Sequence, residues 1–272
     1  MNRKTTHLRK KLLFLLIPVL VGVTYWGSTV LSFSTRKEKS VIKVNNLTRS
    51  CELLNPEKHK DHIQLSVQNN SDKAITAFVL TSPIDSRTVY TVKEEFAFSE
   101  GDLVIFPGQR YDKIIGIPDS LNRMAEITLN LSAAIFADGS SEGDPKTIGD
   151  IEDNRLGQKI QLMKALPVLE KLARLSEAEV SVYLRQTAKH DLEVAFDMLN
   201  TESLIKLNKK PLSNGRLYTE SEQFELGIQE GKESVFQKVQ ELKDLQEKQG
   251  TKALREGVIR VRDLYSKMIT KL

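Results

Sequence analysis

The chain has 272 residues, of which 40% are hydrophobic and 28% are charged, and this composition excludes an intrinsically disordered protein. The formal net charge is +4, but residues 1–11 hold five of the 40 basic residues and no acidic one. The remainder therefore carries 35 basic against 36 acidic side chains, without the excess of positive charge that phosphate contacts require. The sequence predicts no nucleic-acid partner.

The basic tip is followed by an uncharged apolar segment, Leu12 to Phe33. As a helix, its 22 residues would span about 33 Å, which matches the hydrocarbon core of a bilayer. The basic residues before the segment outnumber Arg36, Lys37 and Lys39 after it, so we expect the amino terminus to stay in the cytoplasm. The segment predicts a single-pass anchor in the cytoplasmic membrane, with the body in the periplasm or outside the cell.

A cleaved signal peptide is the alternative interpretation of this segment. Its apolar region would run from Leu12 to Val23, and Ser32 and Ser34 would supply the small residues of the cleavage site. We favour the uncleaved anchor because the apolar run is long and no clear Ala-x-Ala pattern follows it. Cleavage would instead give a secreted protein.

Residues 41–137 carry the period-two alternation of β-strands. In AEITLNLSAAIF the apolar Ile127, Leu129 and Leu131 alternate with polar residues, and HIQLSVQ shows the same pattern. The polar stretch from Gln68 to Ala74 predicts a hairpin that pairs HIQLSVQ with AITAFVL. Further candidate strands are VIKVNNL, RTVYTV, EEFAF, DLVIF and DKIIGI. Such a series of short strands, with no helical period between them, predicts an antiparallel β-sandwich.

This layout of strands and turns resembles the immunoglobulin-like sandwiches common in exported proteins, over residues 41–137 only. The cysteine pair and buried tryptophan of antibody domains are missing, because Cys51 is the one cysteine and Trp26 belongs to the predicted membrane segment. The resemblance therefore implies an architecture and carries no functional residue over to this chain.

Beyond Gly143 the apolar residues repeat every three or four positions, as in amphipathic helices. The stretch from Leu156 to Leu172 follows this spacing, and Pro167 predicts a kink or a restart within it. The sequences SEAE at 176–179 and TESE at 219–222 each predict a helix start through a capping box. The chain is thus predicted to be α+β: a basic tip and anchor (1–34), a β-sandwich (41–137), a connector (138–150) and a helical bundle (151–272).

The last predicted helix, which follows Gly250, has the most regular pattern. Its apolar residues share one stripe and are Leu254, Val258, Val261, Tyr265, Met268 and Leu272. Packing against the helix from Phe224 to Leu245 inside a bundle is the favoured interpretation, because fewer than about three heptads is short for a free coiled coil. A seam for a protein partner or a second copy is the alternative, so a homo-oligomer is compatible with the sequence.

The connector contains the spacing of a calcium loop. Asp138, Ser140 and Glu142 stand at the first, third and fifth places, and Gly143 at the sixth. The twelfth place requires a bidentate carboxylate but holds Gly149, so the ligand set is incomplete. The three residues are weak metal candidates, and a structural corner explains the stretch better.

Other chemical motifs are weak. The two imidazoles of HKDH at 59–62 would face opposite sides of a strand, which argues against a shared metal. Cys51 has no recognised nucleophile motif around it, and GxSxG, HExxH, Walker and GxGxxG patterns do not occur. We therefore predict no cofactor and no catalytic residue.

The favoured hypothesis is an anchored envelope protein that acts through protein contacts, with the helical domain as a candidate surface for the partner. The alternative is an envelope hydrolase that uses Asp138, Glu142 and Asp144 at the junction of sandwich and helices. Convergence of these three carboxylates in a deep cleft would support the hydrolase.

Overall fold

The computed structural model describes residues 40–97, 104–198 and 221–271. The predicted anchor, Leu12 to Phe33, lies outside these residues, and its membrane-spanning role stays a prediction. Among the helices that are described, none combines the length and the hydropathy needed to cross a bilayer. Ser40–Leu272 form one compact unit, to which the description below refers.

The described part of this unit is a mixed α+β structure with eight strands in two sheets. The strands are β1 (Val41–Asn46), β2 (Cys51–Lys58), β3 (His62–Asn69), β4 (Ile75–Pro83), β5 (Val89–Glu95), β6 (Arg110–Gly116), β7 (Glu126–Phe136) and β8 (Ser141–Gly143). Sheet A has the order β1-β7-β4-β5, with β8 beside β7, and sheet B has the order β2-β3-β6.

The two sheets pack face to face around an apolar core. Alternate residues of β3, β4 and β7 point into it, including Ile63, Phe78 and Leu129, each of which is at most 1% exposed. Burial of a side chain of this size contributes about 1.5–3 kcal/mol. This core is why the period-two pattern of residues 41–137 produces a two-sheet sandwich.

The connections within the sandwich differ from the prediction at two points. β1 runs parallel to β7, so sheet A is mixed and the sandwich is not antiparallel throughout. β3 and β4 lie in different sheets, so the segment from Gln68 to Ala74 is not a hairpin. The buried side chain of Asn69 donates to the carbonyl oxygens of Lys73 and Ile105, at 2.7 Å each, and holds the segment as an arch between the sheets.

The distribution of strands also departs from an immunoglobulin domain. A constant-type immunoglobulin sheet contains the first, second, fourth and fifth strands. Here β1, β4 and β5 share sheet A with β7, while β2 pairs with β3 in sheet B. The alternation of apolar and polar residues does not predict β2, because Asn55 and Pro56 interrupt this alternation in the middle of the strand. Asn55 takes a φ of 46° next to a shift in the pairing register, which accommodates the interruption.

Side-chain contacts join the neighbouring edges of β5 and β6. Glu94 of β5 forms an ion pair with Lys113 of β6 at 2.6 Å and accepts a hydrogen bond from Tyr111 at 3.3 Å. Tyr90 donates to the backbone carbonyl of Gly116 at 2.5 Å. The bond from Tyr90 occupies a backbone carbonyl that an open edge would offer to another strand.

The described helices are α1 (Asp119–Asn122), α2 (Pro145–Arg174), α3 (Glu177–Gln186), α4 (Ala188–Met198) and α5 (Glu222–Lys271). α2 starts inside the predicted connector, because the Asp144 carboxylate accepts from the backbone N–H of Thr147 at 2.9 Å and caps the helix. Of the kink or restart predicted at Pro167, the restart is wrong, since α2 continues through this residue. Ala165 and Leu169, which lie before and after Pro167, are buried in the helical core and hold the turns on both sides of the proline against the other helices.

The predicted capping box of α3 is confirmed, with the Ser176 side chain and the Glu179 side chain bonded to each other's backbone N–H. At the start of α5, the Ser221 hydroxyl accepts from the N–H of Phe224 at 3.1 Å, which places the cap at Ser221. The TESE pattern predicts the cap two residues earlier, at Thr219, which lies outside the described residues.

α5 is interrupted at Gly250, which has φ 84° and ψ −177°, a conformation that essentially only glycine adopts. We call residues 222–249 the first arm and residues 251–271 the second arm. A Cβ atom placed on Gly257 would lie 2.9 Å from Leu242 and 2.8 Å from Leu245, so the second arm folds back along the first. The two arms form a helical hairpin.

The apolar stripe of the second arm packs inside the helical bundle. Leu254, Val258, Tyr265 and Met268 are buried in a core shared with α2, α3, α4 and the first arm, and Val261 is partly buried against it. The favoured interpretation of the stripe, packing inside a bundle, is therefore confirmed for these residues.

α2 joins the sandwich to the bundle. Its first turns place Ile148 and Ile151 against the outer face of sheet A, in a cluster with Ala77 and Val79. One turn further, the Arg155 guanidinium donates to both carboxylate oxygens of Glu95, at 2.7 and 2.9 Å. Both side chains are largely buried, so this bidentate contact is much less screened by water than a surface ion pair.

α2 and the first arm of α5 cross at very short range. A Cβ atom on Gly227 would lie 2.1 Å from the backbone oxygen of Asn154, and one on Gly157 would lie 2.4 Å from the backbone oxygen of Phe224. Polar groups fill the neighbouring space, where Asn154 donates to Glu230 at 3.0 Å and accepts from Lys93 at 2.7 Å. Only glycine permits this approach of the two helix backbones.

Replacing Gly227 by alanine tests the crossing. The added methyl group would overlap a helix backbone that cannot move aside alone, so Gly227→Ala should lower the free energy of unfolding by about 3 kcal/mol. Gly116→Ala is the control, because nothing lies within 4 Å of the new Cβ, and it should change stability by less than about 0.5 kcal/mol. Urea unfolding curves measure both values, and equal stabilities would contradict the close crossing.

Candidate functional site

The three carboxylates of the hydrolase hypothesis are bound by different parts of the chain. Asp138 forms an ion pair with Lys73 at 2.7 Å. Glu142 accepts hydrogen bonds from the β1–β2 turn, at 2.8 Å from the backbone N–H of Arg49 and at 2.6 Å from the Ser50 hydroxyl. Asp144 caps α2. Each carboxylate therefore stabilises a turn or a helix end.

The pKa values of these carboxylates oppose a role as general acid. The hydrogen bond from Lys73, followed by those from Ser140, holds the pKa of Asp138 well below its usual range. Burial alone would raise the pKa of Glu142, but the hydrogen bonds from Ser50 and Arg49 outweigh it and leave a net decrease. Hydrogen bonds from Thr147 lower the pKa of Asp144. A glycosidase-type acid needs a raised pKa.

The candidate metal ligands have the same structural roles. The Ser140 hydroxyl donates to Asp138 at 2.6 Å, while Glu142 faces the β1–β2 turn. Across residues 40–97, 104–198 and 221–271, no three His, Cys, Asp or Glu side chains are grouped so that they could hold a metal ion.

The arrangement of His59 and His62 differs from the sequence expectation. Their rings do not face opposite sides but stack with centroids 4.7 Å apart, because the backbone N–H of His59 donates to the His62 carbonyl in a tight turn. His62 also bonds Asp61 at 2.9 Å. The nitrogen lone pairs of an imidazole lie in the plane of its ring. Because the two rings are stacked with an interplanar angle of 18°, these lone pairs do not converge on one point, which is a poor geometry for two ligands of one metal ion.

A titratable cluster lies beside an apolar depression of about 410 Å³ on α3. Tyr183 donates a hydrogen bond to Asp191, whose carboxylate also pairs with Lys171 at 3.0 Å. Burial, followed by the bond to Asp191, raises the pKa of Tyr183, and the bonds from Tyr183 and Lys171 lower the pKa of Asp191. At neutral pH this cluster contains neither a phenolate base nor a carboxylic acid.

A larger groove, of about 600 Å³, lies between the two arms of α5, and we call it the hairpin groove. Its lining is shared by both arms and consists of Lys238, Glu241, Leu242, Leu245, Gly257, Arg260, Val261, Asp263 and Leu264. The apolar members occupy the floor, where Leu245, Val261 and Leu264 are only partly buried. The absence of a side chain on Gly257 brings the arms together there. A partly buried apolar floor between two helices suits an apolar ligand or a packed protein surface.

Charged side chains of both signs border the hairpin groove. On the first arm Lys238 pairs with Glu241 at 2.6 Å, and on the second arm Asp263 pairs with Arg262 at 2.6 Å, while Arg260 is exposed. The four lining charges, Lys238, Glu241, Arg260 and Asp263, cancel. A polar border around an apolar centre is the arrangement of protein interfaces.

Sequence reasoning did not identify the hairpin groove. The stripe from Leu254 to Met268 indicates which face of the second arm is buried, but the groove shares only Val261 with this stripe and otherwise uses neighbouring positions of the arm. The available signal was Gly250 between two helical patterns, with Leu242 and Leu245 on one side and Val261 and Leu264 on the other. These two pairs of leucine and valine side chains come together only because the chain turns back at Gly250. The sequence pattern alone does not predict the direction of that turn.

The free thiol of Cys51 provides a test of the packing near Glu142. Burial, and secondarily the negative charge of Glu142, raises the pKa of Cys51 from 9.0 to about 12. Since the thiolate is the reactive form, iodoacetamide at pH 8 should label the native thiol about a thousandfold more slowly than the unfolded chain. The control Gln240→Cys adds an exposed thiol that should react in the native state.

The raised pKa also makes stability depend on pH. Its stabilising contribution is fully present below pH 9.0, where the unfolded thiol is protonated, and is lost as the pH rises toward about 12. In the labelling test, a rapid reaction of native Cys51 with iodoacetamide would contradict the burial of its side chain.

Comparisons with protein-family models, with curated proteins and with solved structures found no match to this chain.

Proposed function

We propose that this chain is a membrane-anchored interaction module that acts outside the cytoplasm, with the hairpin groove as its binding surface. The hairpin groove is the observation that carries the proposal. It combines a partly buried apolar floor with a charged border, and it lies on the helical part of the fold.

The chemistry of the described residues favours binding over catalysis. Asp138, Glu142 and Asp144 are each held by separate structural hydrogen bonds, and their lowered pKa values suit capping and turn formation. Lys164 is 3% exposed and its amine donates to the Phe196 carbonyl at 2.9 Å, so a substrate could not reach it without an opening of the bundle. We therefore do not propose the envelope hydrolase.

The location outside the cytoplasm rests on the segment from Leu12 to Phe33. The expected result is a membrane-bound chain that resists extraction with alkaline carbonate, because the apolar segment spans the bilayer. Intact-mass spectrometry of the purified protein should then give 30.8 kDa, the mass of the full chain. A mature chain that begins near Thr35 would show cleavage and a secreted protein.

Photo-crosslinking at adjacent positions tests the binding surface. A photoreactive residue at Glu241 borders the hairpin groove, whereas one at Gln240 is also exposed but is not part of its lining. In intact native cells, the full chain should form a discrete adduct from position 241 and none from position 240. Denaturing gel electrophoresis of the adducts measures the difference.

A floor substitution supplies the control for the adduct. Leu245→Arg places a charge on the apolar floor and should remove the adduct at position 241, while Gln240→Arg should leave it unchanged. Circular dichroism checks that both variants fold, and Leu264→Arg replaces Leu245→Arg if the latter unfolds. An adduct that forms equally from both positions, or that survives the floor substitutions, would refute this groove as the binding surface.

A further inference from the structure

We infer that the open edge of β1 binds an extended segment of a partner protein, which adds a strand to sheet A. This surface lies on the sandwich, shares no residue with the hairpin groove and is independent of the proposed function. Three features of the molecule carry the inference: the unpaired backbone groups of β1, the closed edge of its neighbour β2, and the exposed apolar side chains at both ends of β1.

β1 is an edge strand of sheet A and has β7 on one side only. Val41 and Leu47 donate backbone hydrogen bonds on the β7 side, at 2.9 and 3.0 Å. Because the direction of the backbone groups alternates along a strand, those of Ile42 and Val44 point to the opposite side. No group of the described residues forms a hydrogen bond with the backbone of Ile42 or Val44 on that side. The edge therefore offers two donors and two acceptors to another strand.

The spacing of these free groups selects an extended chain as the occupant. They recur at every second residue, about 6.6 Å apart at a rise of about 3.3 Å per residue. An extended segment presents its own N–H and C=O groups at the same interval, whereas a helix bonds these groups internally. The complement of this edge is therefore the backbone of a partner in β conformation, as in proteins that bind peptides by strand addition.

The neighbouring edge, that of β2, is closed to such a segment. The Thr48 hydroxyl donates to the carbonyl of Cys51 at 2.7 Å, and the N–H of Leu53 donates to the Asn46 side chain at 3.0 Å. Pro56 then has no N–H to donate and stands within a shift of the pairing register. β1 contains neither a proline nor a shift in register, so its edge has none of this protection.

Apolar side chains border the open edge on both faces of the sheet. On the outer face, Val41 is 58% exposed and Leu47 is 52% exposed. On the inner face, Ile42 and Val44 are only partly buried against the core of the sandwich. An added strand would cover apolar atoms on both faces. The partner segment should therefore be about six or seven residues long, with apolar side chains at both ends and toward the core.

Crosslinks from two positions of β1 test the geometry of the added strand. Photoreactive residues at Lys43 and Asn45 lie on the exposed outer face beside the edge, and Thr91 is an exposed control position on β5. In intact native cells, positions 43 and 45 of the full chain should form adducts with the same partner protein, and position 91 should form none. Peptide mass spectrometry should place the two crosslinks on partner residues that are two apart, because paired strands keep this spacing.

A proline substitution tests whether the backbone of β1 makes the contact. Val44→Pro removes the N–H at the open edge and leaves the bonds to β7, and an edge strand tolerates proline at such a position. It should reduce the adduct from position 45 at least about tenfold, through the lost hydrogen bond and the strain on its neighbours. The matched control Val44→Thr keeps both the N–H and the shape of the side chain, so it should leave the adduct unchanged. Circular dichroism checks that both variants fold, and Ile42→Pro replaces Val44→Pro if the latter unfolds.

Several results would overturn the inference. Positions 43 and 45 could give no adduct, or crosslinks three or four residues apart on the partner, as from a helix. An adduct with the mass of two copies of this chain would replace the partner protein by a second copy. An adduct that survives Val44→Pro, or that Val44→Thr removes equally, would show that the open backbone edge does not make the contact. The adduct from position 241 reports on the hairpin groove separately, so failure of one surface leaves the other to its own test.

Discussion

The contact between α2 and its two neighbours is the constraint on which this fold depends. Near its start, Ile148 and Ile151 pack on sheet A, and Arg155 binds Glu95 of β5 through two short hydrogen bonds. Two turns later, the same helix forms the centre of the helical core. Because one rigid helix belongs to both layers, movement of the sandwich against the bundle would break apolar and ionic contacts together.

The close crossing with the first arm of α5 determines where the hairpin groove lies. Gly227 allows the two helix backbones to touch, and the polar side chains of Asn154 and Glu230 bond to each other beside the crossing. This contact positions the first arm, and the turn at Gly250 then positions the second arm along it. The groove is thus formed by the backbone conformation at Gly227 and Gly250 as well as by its lining side chains. Its proposed role in binding follows from that geometry together with its partly buried apolar floor.

The carboxylates at the junction show why a local pattern is a weak guide to chemistry. Asp138, Glu142 and Asp144 have a spacing that suits cation ligands or acid–base pairs, yet each has structural partners far along the chain or in the next helical turn. A lysine 65 residues before Asp138 neutralises it, and a turn more than 90 residues before Glu142 supplies its hydrogen-bond donors. Such partners do not follow from spacing along the sequence.

The sequence by itself determined the elements whose signals are local. Alternation in Ile127, Leu129 and Leu131 identified a strand, the Ser176–Glu179 box identified a helix start, and the stripe from Leu254 to Met268 identified a buried helix face, because these patterns depend on neighbours within one or two turns. Tertiary structure alone decided the parallel pairing of β1 with β7, the presence of β2 despite Pro56 and the arch at Asn69. It also decided the hairpin groove. These features depend on which distant segments share a sheet or a helix crossing, and that choice is set by the packing of the whole core.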